Sequence, residues 1–363
     1  MDNKGKNYGI DALRILSMFM VVVLHIFNAG GVLGATGRFT SQYEVGWLIQ
    51  NATFCAVDGY ALISGYVWVN AKYRYRNIME LWLQVVFYTV TITALFAVFS
   101  PSSVSLLSWL KALFPVMFNQ YWYFSSYFAL FLFIPLLNII IQKAEKKQLL
   151  IYIVIILFFF GVLQILFFSN AFGTNEGYSA IWLMILYLVG GYLGKYGIGK
   201  NVRTVKFLIG YLIAVCLTWL SKLCIELLTL RILGEVRAGN YFIRYESPFI
   251  FMAAIFLLLF FANLKISNFW KKIIGFLSPM AFGVYLIHVH PLVFLGILKE
   301  GFTEYASLPW VLEILAVLGT AAVIYLICSL IDFIRLQLFK ALHIRQKLDS
   351  FEEHIRVKIR GAL

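Results

Sequence analysis

The sequence predicts an all-α, polytopic integral membrane protein with about ten transmembrane helices and both termini cytoplasmic. Three observations predict it: the composition, the length of the apolar runs, and the placement of Lys and Arg. Of 363 residues, 62% are hydrophobic and only 13% are charged, against roughly 25% charged in a soluble domain. The mean hydropathy is +0.85. A water-facing surface needs more polar groups than this chain has, whereas hydrocarbon tolerates an apolar one. The aromatic share of 18% suits lipid-facing Phe and interfacial Tyr and Trp.

Apolar runs of spanning length, about 17–25 residues, fall at 8–28, 46–69, 77–99, 122–141, 149–168, 178–194, 207–229, 247–264, 273–298 and 309–333. The stretch 104–118 is short, carries Lys111 and is broken by Pro115, so it reads as an interfacial or re-entrant helix. With both termini inside, 22 of the 30 Lys and Arg lie in inside segments and 6 in outside loops. Arg14 and Lys222 fall within spans. That split follows the positive-inside rule. It explains the net charge of +13 through topology and anionic lipid heads, with no call on nucleic acid.

The first span shows no convincing cleavage site and carries Arg14 and His25, so it is expected to stay as an anchor. These two residues are eleven apart, close to three helical turns, and share a face with Asp11, Met18, Val21 and Asn28 near it. A lipid-facing Arg is costly, so the face should point into the protein. Arg14 then lies about 16 Å from His25 along the helix. Two readings stay open. Arg14 pairs with Asp11 and His25 is a hydrogen-bonded bundle residue, or His25 is a general base suited to neutral pH.

The second span ends in Asp58-Gly59 and Ser64-Gly65-Tyr66. Asp58 needs a partner or a neutral state, and the glycines permit close helix approach. The following loop holds Arg74 and Arg76, either topology anchors or a clamp for a phosphate-bearing donor. Lys222 and Glu226, four apart in the seventh span, should neutralise each other. In the ninth span His288 and His290 point to different helix faces, which is poor metal spacing, and no metal is expected. Both histidines reach the depth of His25, which suggests one outward-facing cavity. The four cysteines all lie in spans and fit neither metal nor disulfide spacing. Residues 1–335 read as one membrane-embedded domain, and 336–363 as a basic amphipathic tail on the inner surface.

These residues carry a family resemblance. Arg14, ten residues and His25; Val57-Asp58-Gly59 to Ser64-Gly65-Tyr66; Tyr121-Trp122-Tyr123-Phe124 to Ile134-Pro135-Leu136-Leu137-Asn138; Tyr187 to Lys195; and Phe282-Gly283-Val284-Tyr285-Leu286-Ile287-His288 occur in that order. The chain resembles the acyltransferase-3 family, bacterial membrane O-acyltransferases of surface polysaccharides and cell-wall glycans, from about Tyr8 to residue 335. Many members have two Arg three residues apart, whereas Arg74 and Arg76 are two apart. With no esterase-like domain, the chain looks like the stand-alone type.

The resemblance implies transfer, most simply O-acetylation, from acetyl-CoA or another acyl-CoA to a hydroxyl of a cell-surface or lipid-linked glycan. It implies a multi-pass protein of the bacterial cytoplasmic membrane, no tightly bound cofactor, and room for a homo-oligomer or a polysaccharide-assembly partner. It makes His25 and Arg14 catalytic, and Asp11, Arg74 and Arg76 donor-binding. Asp58, Ser64, Trp122, Tyr285 and His288 become candidates to line the acceptor cavity. A secondary transporter or flippase is the alternative, favoured by inverted repeats or discontinuous helices; no repeat is evident. A membrane sensor is the third reading, in which His25 and Arg14 are dispensable.

Overall fold

The computed structural model describes residues 6–362, with side chains as far as Lys358. Lys4 and the side chain of Arg360, both counted in the inside charge, lie outside the described residues. Among the described residues all regular structure is helical. In chain order the α-helices are α1 (Tyr8–Phe27), α2 (Val32–Ala35), α3 (Ser41–Phe54), α4 (Ala56–Trp68), α5 (Tyr75–Phe99), α6 (Leu106–Leu113), α7 (Trp122–Lys143), α8 (Lys146–Leu157), α9 (Leu163–Leu166), α10 (Ala180–Tyr196), α11 (Thr204–Leu233), α12 (Pro248–Ala262), α13 (Asn268–Leu277), α14 (Ala281–His288), α15 (Pro291–Val293), α16 (Trp310–Ala341) and α17 (Ile344–Ala362).

Among the described residues, six helical stretches are long and apolar enough to cross a membrane: Tyr8–Ala35, Tyr75–Phe99, Trp122–Lys143, Lys146–Leu166, Thr204–Leu233 and Trp310–Ala341. A seventh results if the bent pair Asn268–His288 and Pro291–Ser307 is one crossing. The helices α10 and α12 are apolar but shorter, 17 and 15 residues. At 1.5 Å per residue they reach about 25 Å and 22 Å, against a hydrocarbon core of ~30 Å. Outward-facing Leu132, Leu136, Ile213, Leu326 and Leu330 are exposed. Such a surface is unsuited to water and is what lipid requires. Most of α1 is enclosed, with 67% of its apolar window buried against 28–33% in the helices from α5 onward that pass the same test. It is therefore the central helix.

Two expected spans depart from single helices. The run 46–69 is α3 and α4, which begin at Ser41 and break at Cys55. Thr40 caps the start, its Oγ1 accepting from Tyr43 N at 3.2 Å. The α3 half carries Glu44, Gln50 and Asn51, the last two buried, so it faces protein rather than lipid. The run 273–298 is α13, a 3-10 turn at Ser278–Met280, α14 and, after a 61° bend, α15. Pro279 and Pro291 remove amide donors and crowd the preceding turn. His290 is accordingly extended at ψ 129°.

The eight residues of α6 span about 12 Å, too short to cross, in keeping with the interfacial reading of 104–118. Helix α16 runs unbroken through residue 335 to Ala341, and the chain turns at His343, φ 55°. Phe333, Leu336 and Leu338 thus belong to α16, and α17 is a separate helix. Helices α4 and α10 touch backbone to backbone. A Cβ on Gly65 would lie 2.0 Å from Tyr187 O, and one on Gly190 2.1 Å from Leu62 O. Only glycine allows this approach.

Candidate active site

One face of α1 carries the polar stripe. At its start Arg14 Nη1 donates to Asp11 Oδ1 at 2.6 Å, and Lys6 Nζ lies 3.1 Å from Asp11 Oδ2. Two cations on one carboxylate leave a positive excess. Arg14 lines a cavity of about 260 Å³ with Ser64, Trp68, Tyr127 and Ser278. Tyr60 Oη donates to Arg14 O at 2.7 Å and fixes α4 against α1.

At the far end of the stripe, His25 lines a second cavity of about 70 Å³ with Met18, Val21, Trp122, Tyr245 and Tyr285. Tyr60, Tyr123 and Phe282 line both cavities and form the partition between them. The Arg14 chamber and the His25 chamber are thus neighbours along one helix face.

His25 Nδ1 lies 3.0 Å from His288 Nε2. His288 Nδ1 lies 2.6 Å from Val284 O. A carbonyl only accepts, so His288 Nδ1 carries a hydrogen. In the neutral ring His288 Nε2 is then an acceptor, and His25 Nδ1 is the donor to it. His25 Nε2 is left with its lone pair and, among the described residues, no hydrogen-bond partner. The chain His25–His288–Val284 O has the arrangement by which a triad orients a histidine, with a carbonyl as the last member. Phe294, brought round by the bend after α14, packs edge-on to His25 at 5.4 Å between centroids.

Distant contacts hold His288 in place. Asp332 on α16 accepts from Tyr88 Oη at 2.7 Å, from Gln84 Nε2 at 3.2 Å, and from Arg335 at 3.0 and 2.8 Å. A Cβ on Gly283 would lie 2.2 Å from Asp332 Cγ, so that glycine lets this network sit directly on α14. Tyr121 Oη adds a bond to Leu286 O at 2.8 Å. His290 instead caps α15, its Nδ1 accepting from Leu292 N at 3.3 Å. It takes no part in the His25 pair.

The other expected site residues separate. Trp122 and Tyr285 line the His25 chamber, and Ser64 lines the Arg14 chamber. His288 stands behind His25. Asp58 is fully buried, accepts from Trp182 Nε1 at 3.1 Å and lines neither chamber. Lys222 and Glu226 are 2.8 Å apart as expected, and Glu44 joins them at 3.3 Å. Arg76 Nη1 donates to both Asp349 oxygens, at 2.6 and 2.7 Å, and Arg74 Nη2 lies 3.0 Å from Asp349 Oδ1. Glu352 accepts from the amides of Tyr75 and Arg76. Helix α17 is therefore strapped over both arginines, and Arg76 holds the Asp349 carboxyl below the usual carboxylate range.

Sequence reading missed Tyr60, Tyr123, Tyr245 and Phe282 as chamber walls. Tyr123 sits in a quoted aromatic run, and Phe282 in the ninth-span pattern, so both were within reach. Tyr245 comes from a loop with no sequence signal. It stacks on Phe54 at 4.6 Å and lies 4.8 Å from Tyr178.

A helical bundle with a lipid-suited surface, and a histidine pair beside an internal chamber, define a membrane-embedded protein with a candidate site for proton or group transfer. The profile of the acyltransferase-3 family, an acyltransferase domain, matches residues 7–330, and the chain belongs to that family. It is a membrane acyltransferase. No curated protein and no solved structure matches it.

Proposed function

We propose that this acyltransferase moves an acetyl group from acetyl-CoA, supplied at the cytoplasmic face, to a hydroxyl of a cell-surface or lipid-linked glycan. The observation that carries the reading is the unengaged Nε2 of His25 in a chamber adjoining that of Arg14. In this reading Arg14 and its positive surroundings receive the donor arm, and the acyl carbonyl passes the Tyr60–Tyr123–Phe282 partition. His25 Nε2 takes the proton of the acceptor hydroxyl as it attacks. Trp122 and Tyr285 form the acceptor side. The test is transfer of label from radiolabelled acetyl-CoA to an added glycan extract by purified protein in proteoliposomes. Absence of transfer with folded protein removes this donor and acceptor, and flux of a lipid-linked sugar is then the assay of the alternative.

The same reading places the chain in a bacterial cytoplasmic membrane with ten crossings and both termini cytoplasmic. The distribution of Lys and Arg supports it, with α3–α4, α10 and α12 completing the crossings. In intact cells an impermeant thiol reagent is expected to label Lys111→Cys, and to reach Lys347→Cys only after permeabilisation. The opposite pattern inverts the topology.

Arg74 and Arg76 are the proposed phosphate holders, and Asp349 and Glu352 stand where the phosphates would come. Asp349→Asn with Glu352→Gln is expected to lower the KM for acetyl-CoA about three- to fivefold, the scale of part-exposed ion pairs. An unchanged or raised KM assigns the two arginines to anchoring α17.

A further inference from the structure

Acyl transfer to a hydroxyl passes through a tetrahedral species whose former carbonyl oxygen bears negative charge. That oxygen needs a hydrogen-bond donor already in place. His25 cannot supply it, because its Nδ1–H is given to His288 and its Nε2 holds the lone pair. Tyr60 Oη is committed to Arg14 O. Tyr123 Oη and Tyr285 Oη are both buried and have no hydrogen-bond partner among the described residues.

The Tyr123 ring is held on several sides. It stacks on Tyr127 at 6.3 Å and 18°, and meets Tyr60 edge-on at 6.3 Å, Trp122 at 5.5 Å and Tyr285 at 6.4 Å. A fixed ring with an idle phenol is poorly explained by packing, since phenylalanine would serve as well. Tyr123 lines both chambers, whereas Tyr285 lines only that of His25, so Tyr123 stands between Arg14 and His25.

We propose that Tyr123 is a catalytic residue whose phenol O–H donates to the oxyanion of the transferring acyl group. The inference rests on the reading of His25 as the base. The acceptor oxygen forms a bond to the acyl carbon while His25 Nε2 takes its proton. The carbonyl π pair moves onto oxygen, where the Tyr123 O–H meets it. Collapse restores the carbonyl and breaks the carbon–sulfur bond of the thioester. The departing sulfur takes the proton from His25, so the products are an ester and a thiol and the histidine is neutral again.

The test is kcat and KM of Tyr123→Phe in the acetyl-CoA proteoliposome assay with glycan extract, alongside wild type. The expected result is a fall in kcat of about 10²–10³-fold with KM for acetyl-CoA within about twofold. The thermal midpoint in detergent should hold, because no hydrogen bond is removed. A kcat within about threefold of wild type overturns the proposal. Should Tyr123→Phe fail to fold, 3,5-difluorotyrosine at position 123 keeps the hydroxyl and makes it a stronger donor. Faster turnover at neutral pH then supports the proposal and an unchanged rate overturns it. No transfer by wild type overturns the donor-and-acceptor reading and takes this inference with it, whereas transfer by wild type and full retention by the variants overturns the inference alone.

Discussion

His25→Ala is expected to lower acyl transfer about 10²–10⁴-fold, the range a positioned general base contributes, while the protein stays folded in the membrane. The structure explains why chemistry and folding should part at this residue. Among the described residues its only side-chain hydrogen bond goes to His288, and the residue lines a chamber. Truncation enlarges that chamber and frees one acceptor on His288, both tolerable next to an existing cavity. The loss should therefore appear in kcat, with elution and thermal midpoint in detergent close to wild type. Full activity in the variant would end the assignment of His25. Label found on the wild-type protein itself, and lost in the variant, would make His25 an acyl carrier rather than a base.

The second large effect is expected at His288, which never reaches the chamber and acts through its neighbour. His288→Leu removes the acceptor for His25 Nδ1–H. The His25 proton is then free to move to Nε2, and the lone pair turns away from the substrate. A wrong tautomer in an oriented histidine is costly, and a loss of about 10²–10⁴-fold is expected. His288→Gln keeps a side-chain oxygen able to accept that hydrogen bond, so it should recover part of the rate. Equal loss in both variants, or a shared fall in thermal midpoint, would assign His288 to packing alone.

These two experiments separate positioning from chemistry because the bond runs one way. Val284 O fixes the His288 tautomer, and His288 fixes that of His25. Behind His288, Gly283 and Asp332 tie α14 to α16 and α5. Asp332 is fully buried and satisfied on both oxygens, as a charge in such a place must be. Its partner Arg335 is three residues on in the same helix. That i,i+3 pair was visible in the sequence, and its meaning was not. Counting Arg335 as inside charge hid its role as a counter-ion.

The sequence was most legible where the physics is local. Apolar runs report helices because backbone groups in lipid must bond within their own segment. The stripe from Arg14 to His25 follows from helical periodicity and from the cost of charge in hydrocarbon. The short α6 and the Lys222–Glu226 pair follow from length and spacing. It was less legible where a span is broken. Cys55 carries no mark of a helix break, and α3 shows its polar face only when the protein it faces is in view. At Pro279 and Pro291 the residues announced an interruption, but the 61° turn needed the packing around it.

By itself, then, the sequence determined an all-helical membrane chain, a buried polar face on α1, and kinship in a run of ordered motifs. Each rests on neighbours within a few turns or on transfer of side chains between water and lipid. Only the tertiary structure decided which groups meet. It paired His25 with His288, 263 residues away, drew Asp58 out to Trp182, and set Tyr123 between two chambers. It also laid the carboxylates of α17 on Arg74 and Arg76. Such contacts depend on how closely whole helices approach and at what angle, and glycines such as Gly65, Gly190 and Gly283 set those distances through the partners they admit.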